Sequence, residues 1–204
     1  MNTILDYIPE NAEVGVGLAL LDDHGNYVFF LAGTRHVSDG TEMFYAGIGG
    51  HLEPGEGLLE CGSREAQEEI GAEIRYESNA FDTVYIRSDN SIRTIEVHDA
   101  VKPLAVYEMI HPKGSPRSGD LYHIIIYQAR LRSEPRDMKM DEVSGLITLN
   151  RDQVRNSMNR KLTIQQYVDE GASLIVRDGK ISRETVIYPI GTAKALACLF
   201  NSVP

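Results

Sequence analysis

The sequence contains no tryptophan, only two cysteines, and 20 basic residues against 30 acidic ones. Cys61 and Cys198 are too few and too far apart for a disulfide framework or a zinc knuckle, and a reducing compartment suits them. Cys61 has no neighbouring base to activate it and reads as a small filler. The formal net charge of −10 argues against stable nucleic-acid binding, since phosphates are gripped by clustered Lys and Arg. No apolar run reaches membrane-spanning length, and Met1 to Glu10 lacks the basic and apolar regions of a secretory leader. These absences predict a cytoplasmic, soluble protein with no membrane partner. The 204 residues suffice for one sizeable hydrophobic core.

The chemistry concentrates in residues 50 to 72. Pro54-Gly55 is a turn signal. Leu58 to Ile70 contains no proline and repeats as a helix, and Gly71 occupies the position of a helix-ending glycine. At 100° per residue Leu59, Ala66 and Ile70 form one apolar stripe, with Glu65, Glu68 and Glu69 beside it in an arc of about 100°. Three like charges on one side of a helix repel unless a cation sits among them. A hard divalent cation held by carboxylate oxygens answers this. Mg²⁺ fits best because it takes few protein ligands and keeps waters and substrate phosphates, with Mn²⁺ as a substitute. Glu56 offers a further carboxylate, and Arg64, four residues from both Glu60 and Glu68, can orient the set.

This segment resembles the signature of the Nudix hydrolases: Gly, five residues, Glu, seven residues, Arg-Glu, an aliphatic, any residue, Glu-Glu, any residue, Gly, an aliphatic. The matching residues are Gly50, Glu56, Arg64, Glu65, Glu68, Glu69 and Gly71, with Ala66 and Ala72 at the aliphatic positions. Seven fixed positions at about one in twenty each give a chance match on the order of one in a billion per register. Alanine at both aliphatic positions is smaller than the usual Leu, Ile or Val. The resemblance implies an α/β (α+β) fold with a mixed β-sheet sandwiched between α-helices. It also implies Mg²⁺-dependent cleavage of the pyrophosphate in a nucleoside diphosphate linked to another moiety. Glu65, Glu68 and Glu69 would be metal ligands, Glu56 an auxiliary one, and Arg64 their organiser. The general base stays open between Glu65, Glu69 and an acid from 137 to 142, with Asp141 and Glu142 nearest to the following strand. A homodimer is implied by the resemblance alone.

Along the chain, Glu13–Leu21 and Tyr27–Leu31 read as a hairpin across Asp22-Asp23-His24-Gly25-Asn26. Arg35 follows in a polar loop, and Phe44–Ile48 is a strand leading to Gly49-Gly50, where the backbone can approach a substrate closely. Strands are expected near 72–76, 81–87, 92–98 and 103–110. A basic loop from His111 to Asp120 then offers Lys113 and Arg117 to substrate phosphates. Tyr122–Leu131, with Ile124, Ile125 and Ile126 in succession, reads as a strand buried on both faces. Gly145–Leu149 is a further strand, Asn150 a helix N-cap, and residues 162–170 a helix. Residues 1–160 are expected to form the catalytic domain. Residues 161–204 are expected to extend it as helix, hairpin (Ser173 through Lys180 onward) and helix.

The rival function is a ligand sensor on the same fold that binds a nucleotide derivative without cleaving it. Such sensors usually lack part of the acid set, which is complete here. An isoprenoid diphosphate isomerase would need a cysteine before the box, and none precedes Cys61. Tyr45, Tyr85 and Tyr122 could stack on a base, although a half-buried strand tyrosine is the commoner case.

Overall fold

The computed structural model describes residues 1–33, 42–111, 117–139, 141–175 and 181–202. After a 3-10 turn at Ile4–Tyr7 the chain lays down β1 (Glu13–Leu21). The Asp22 carboxylate accepts the backbone N–H groups of His24 and Asn26, which turns the chain in the manner expected of aspartate. Then come β2 (Tyr27–Ala32), β3 (Glu42–Ala46), β4 (Gly49–His51) and α1 (Leu58–Ile70). A run of strands follows: β5 (Ile74–Glu77), β6 (Thr83–Ile86), β7 (Ile92–Ile95), β8 (Ala105–Ile110), β9 (Leu121–Leu131) and β10 (Val143–Leu149). The chain continues through α2 (Arg151–Asn156), β11 (Leu162–Thr163), α3 (Ile164–Asp169), β12 (Ser173–Ile175), β13 (Val186–Pro189) and α4 (Gly191–Ser202).

The strands join in one mixed sheet along the path β11-β13-β3-β2-β1-β9-β8-β6-β7, with β4 added to β1, β5 to β9, and β10 to both β2 and β12. Its spine is the parallel pair β1 and β9, in register from Glu13 opposite Tyr122 to Leu21 opposite Arg130. Successive side chains of a strand point to opposite faces, and the two faces have separate cores. Val16, Leu18 and Leu20 pack with Cys61, Ala66 and Ile70 of α1. Ala19 and Leu21 pack with Leu196, Leu199 and Phe200 of α4. Helices therefore cover both faces, which is why Ile124, Ile125 and Ile126 are all buried despite alternating sides.

The Asn150 side chain accepts the Gln153 N–H at 2.9 Å and caps α2 as expected. Among the described residues the hairpin expected from Ser173 onward is absent. β12 pairs with β10 instead, while β13 runs parallel to β3 and antiparallel to β11. A short isolated hairpin is marginal in water, whereas docking on the larger sheet buries Ile187 completely. Its expected turn, Asp178-Gly179, lies outside the described residues. The helix expected from Leu162 begins later, because Thr163 caps α3 by accepting the Gln166 N–H. Its fully buried residues are Ile164 and Tyr167. Among the described residues no helix is long and apolar enough to cross a membrane.

Candidate functional site

The rotation of α1 decides the environment of each of its acids. Gly71 ends the helix with φ 59° and ψ 34°, a left-handed conformation that glycine adopts without a Cβ penalty. With Cys61, Ala66 and Ile70 fully buried against the sheet, Glu69 stands at the margin of the buried face and is only 7% exposed. Burial pushes its carboxyl up to about 8, the Gly49 N–H at 3.1 Å opposes this, and the nearby Glu65 and Glu142 add to it. Burial also raises Glu65, against the pull of Arg64 and with further repulsion from Glu68 and Glu142. Glu65, Glu69 and Glu142 therefore feel one another, while the Glu68 side chain is 52% exposed. Cys61 is raised to about 12 by burial, as befits a filler rather than a nucleophile.

Arg64 ties the loop to the helix. Its Nε and Nη2 donate to the two oxygens of Glu56 at 2.7 and 3.1 Å, and Nη1 donates to Glu65 at 2.8 Å and Glu68 at 3.3 Å. Nη2 also reaches the His51 carbonyl at 3.1 Å. The guanidinium hydrogen bonds hold the Glu56 carboxyl down at about 2. Glu60, expected near Arg64, instead accepts the Gly57 N–H at the start of the helix.

Two backbone segments close around this cluster. Gly49 has φ 146°, outside the range open to L side chains, and a Cβ on Gly50 would collide with the Glu65 carboxylate. On the other side the loop before β10 is strapped to the end of α1. Arg136 N–H donates to the Ile70 carbonyl at 2.8 Å and Lys139 N–H to the Glu69 carbonyl at 3.1 Å. Of the two acids expected here, Glu142 lies near enough to Glu65 and Glu69 for its charge to raise both, and it pairs with Lys139 at 3.1 Å. Asp141 presents its backbone to Gly33.

The remaining candidates fall elsewhere. Arg35 and Lys113 lie outside the described residues. Arg117 bonds to Glu13 at 2.6 Å. Sequence reasoning missed what surrounds it, namely His51 and His111 on the same Glu13 carboxylate, beside a cleft of about 570 Å³. Burial disfavours the Glu13 anion, yet hydrogen bonds from Arg117, His111 and His51 outweigh it and hold the carboxyl below its ordinary value. No spacing rule connects residues 13, 51 and 111, and only the order of the strands unites them. Tyr45, Tyr85 and Tyr122 are all nearly inaccessible rather than half-buried.

A divalent cation fits the α1 site on the chemistry of its donors. They are all oxygens, suited to a hard ion, and Glu69 is a buried carboxylate whose ionised form needs positive charge nearby. The family model of the NUDIX domain matches residues 12–167. The chain belongs to the Nudix family. It is a Nudix pyrophosphohydrolase, of a family that generally uses a divalent metal and acts on nucleotide derivatives.

Among solved structures, a NUDIX hydrolase from Nitrosomonas europaea superposes with a TM-score of 0.49 at 18% identity, covering 78% of this chain and 88% of that one. A NUDIX-family hydrolase from Clostridium perfringens gives 0.48 at 17%, covering 73% and 88%. A MutT NUDIX hydrolase from Burkholderia pseudomallei gives 0.44 at 22%, covering 70% and 86%. None of the curated proteins matches the sequence. The family assignment of this Nudix chain rests on the 12–167 match and the complete signature at 50–72.

Proposed function

We propose that this Nudix site is a Mg²⁺-dependent pyrophosphohydrolase working in the cytoplasm. Its substrate is a nucleoside diphosphate linked to another moiety, such as ADP-ribose, a sugar nucleotide or a nucleoside triphosphate. The observation that carries the reading is Glu69, buried on α1, bonded to the Gly49 N–H, and close enough to Glu65 and Glu142 to feel their charges. Carboxylates gathered this closely in a partly dry site repel one another, and an isolated chain gains nothing from the arrangement. A bound divalent cation would neutralise pyrophosphate oxygens and lower the pKa of a water molecule.

On this reading Glu65 and Glu69 hold the cation, with Glu68 completing the set from the exposed edge and Glu56 supporting it from the loop. Arg64 is a positioning residue, because its fork fixes Glu56 and Glu65 in one geometry. Gly49 and Gly50 leave room for the Glu65 carboxylate and for a phosphate beside it. Glu142 accepts a proton from the attacking water. That water's oxygen bonds to one phosphorus as the bridging P–O bond breaks, giving two phosphate products. Glu142 is preferred to Asp141 as this base because its charge is felt by the other two acids. Residues 161–204 act as part of the same domain.

The test is phosphate or nucleotide release from a panel of ADP-ribose, sugar nucleotides, dinucleoside polyphosphates, NADH and nucleoside triphosphates with Mg²⁺. Turnover of one class, abolished by EDTA and by Glu69→Gln, is expected. No turnover of any class, with one compound bound tightly enough to raise the melting temperature, would move the protein to the ligand-sensor reading.

A further inference from the structure

Glu13 begins β1, His51 ends β4, and His111 directly follows β8. Adjacent residues of β4 face opposite ways. Gly50 pairs with Val16 and meets Glu65 of α1, whereas His51 pairs with Gly15 and stacks on Tyr122. His51 is thus turned away from the α1 carboxylates, although it lies inside the signature segment. His51 Nε2 lies 2.5 Å from Glu13 Oε1 and His111 Nε2 lies 3.0 Å from Glu13 Oε2. One donor atom from each residue falls within 4.8 Å of the other two. The Tyr122 ring sets both imidazoles, at centroid distances of 4.6 and 5.6 Å and interplanar angles of 20° and 23°. The two nitrogens therefore converge on the two oxygens of one carboxylate beside the cleft.

We propose that Glu13, His51 and His111 form a second cation site that takes Zn²⁺ in preference to Mg²⁺, with an open coordination position toward the cleft. Two imidazole nitrogens and one carboxylate are the donor set of an open zinc site, while nitrogen donors suit Mg²⁺ poorly. Metal–ligand bonds of about 2.0–2.2 Å put tetrahedral donors roughly 3.3 Å apart. His51 and His111 contact different oxygens of Glu13, at 2.5 and 3.0 Å, and the three donor atoms, already within 4.8 Å of one another, reach tetrahedral spacing by a side-chain adjustment. The His51 side chain is 60% exposed and free to make that adjustment. Arg117, whose side chain is 58% exposed, bonds to the same Glu13 oxygen as His111 and competes with the metal for it. Zinc here would clamp β4 to β1 and to the end of β8.

The experiment is calorimetric titration of the full, metal-stripped chain with Zn²⁺ in excess Mg²⁺, which keeps the α1 carboxylates occupied. A parallel titration with Co²⁺ follows its visible absorption bands. One equivalent of Zn²⁺ is expected to bind in the wild type and equally in Glu69→Gln, and to raise the melting temperature. His51→Ala and His111→Ala should each weaken it at least about tenfold, and Arg117→Gln should tighten it. Far-ultraviolet circular dichroism establishes that each variant is folded, and the exposed position of His51 makes its variant the decisive one. The proposal is overturned if no zinc binds, if His51→Ala binds it as the wild type does, or if Glu69→Gln rather than His51→Ala abolishes binding. Because turnover is not read, the hydrolase reading can fail without touching this result.

Discussion

The carboxylates of the α1 site come mainly from one thirteen-residue helix and the loop before it, whereas Glu13, His51 and His111 come from the ends of three different strands. In the first cluster the fold buries Glu69 and raises its carboxyl. In the second, a carboxylate with three basic partners is held below its ordinary value. The same side-chain chemistry is thus tuned in opposite directions by burial without enough cations and by satisfied pairing. The buried acid has use for an added cation of charge two. The paired one already has local partners, and a metal there must come between it and its two histidines and displace Arg117.

That contrast is sharpest in the pH dependence of metal-free stability. The Glu69 carboxyl titrates near 8 when folded, against its ordinary 4.5. Between those values the folded state keeps a proton that the unfolded chain has lost, so stability falls as pH rises and the loss is complete above about 8. At about 1.36 kcal/mol per pKa unit, urea unfolding should show a decrease of roughly 4 kcal/mol between about pH 5 and pH 8.5. Glu69→Gln should flatten that slope. A slope unchanged in the variant would remove Glu69 as its source.

Catalysis should follow the same line. Glu69→Gln is expected to lower kcat/KM at least about a hundredfold, the scale seen when one transition-state electrostatic partner is removed. A milder break separates the two acids before β10. Glu142→Gln should cost about tenfold or more, while Asp141→Asn stays near wild type. The reverse order would give Asp141 the role assigned here to Glu142. The smallest effect belongs to the paired cluster. Glu13→Gln should change stability near neutral pH by less than about 1 kcal/mol, since two of its three partners, His51 and Arg117, are more than half exposed and such pairs contribute little. Because Glu13 is lowered in the fold, its contribution is present above its ordinary value and fades as pH falls through the folded one, opposite in sign to Glu69.

These differences also explain what could be read in the sequence. The α1 acids, Arg64 and Gly71 obey a local period, and local periods survive into structure. Most of the longer strands were legible for the same reason, including β9, where three successive isoleucines required cover on both faces, whereas the short β4 and β11 were not. The partners of β12 and β13 were not legible, because nothing near Ser173 or Val186 specifies β10 or β3 as the edge to be joined. Spacing marked Glu69 as one of three equivalent acids, and only the docking of α1 on the sheet set its burial apart from the half-exposed Glu68. Glu13 and His111 are 98 residues apart in sequence and meet through the sheet order β1-β9-β8.

The most direct measurement is Mg²⁺ binding by calorimetry to the wild type, Glu69→Gln and Glu13→Gln. Binding at least about tenfold weaker in Glu69→Gln and unchanged in Glu13→Gln is expected if the buried carboxylate of α1 holds the ion. Equal Mg²⁺ affinity in Glu69→Gln and wild type would contradict the account.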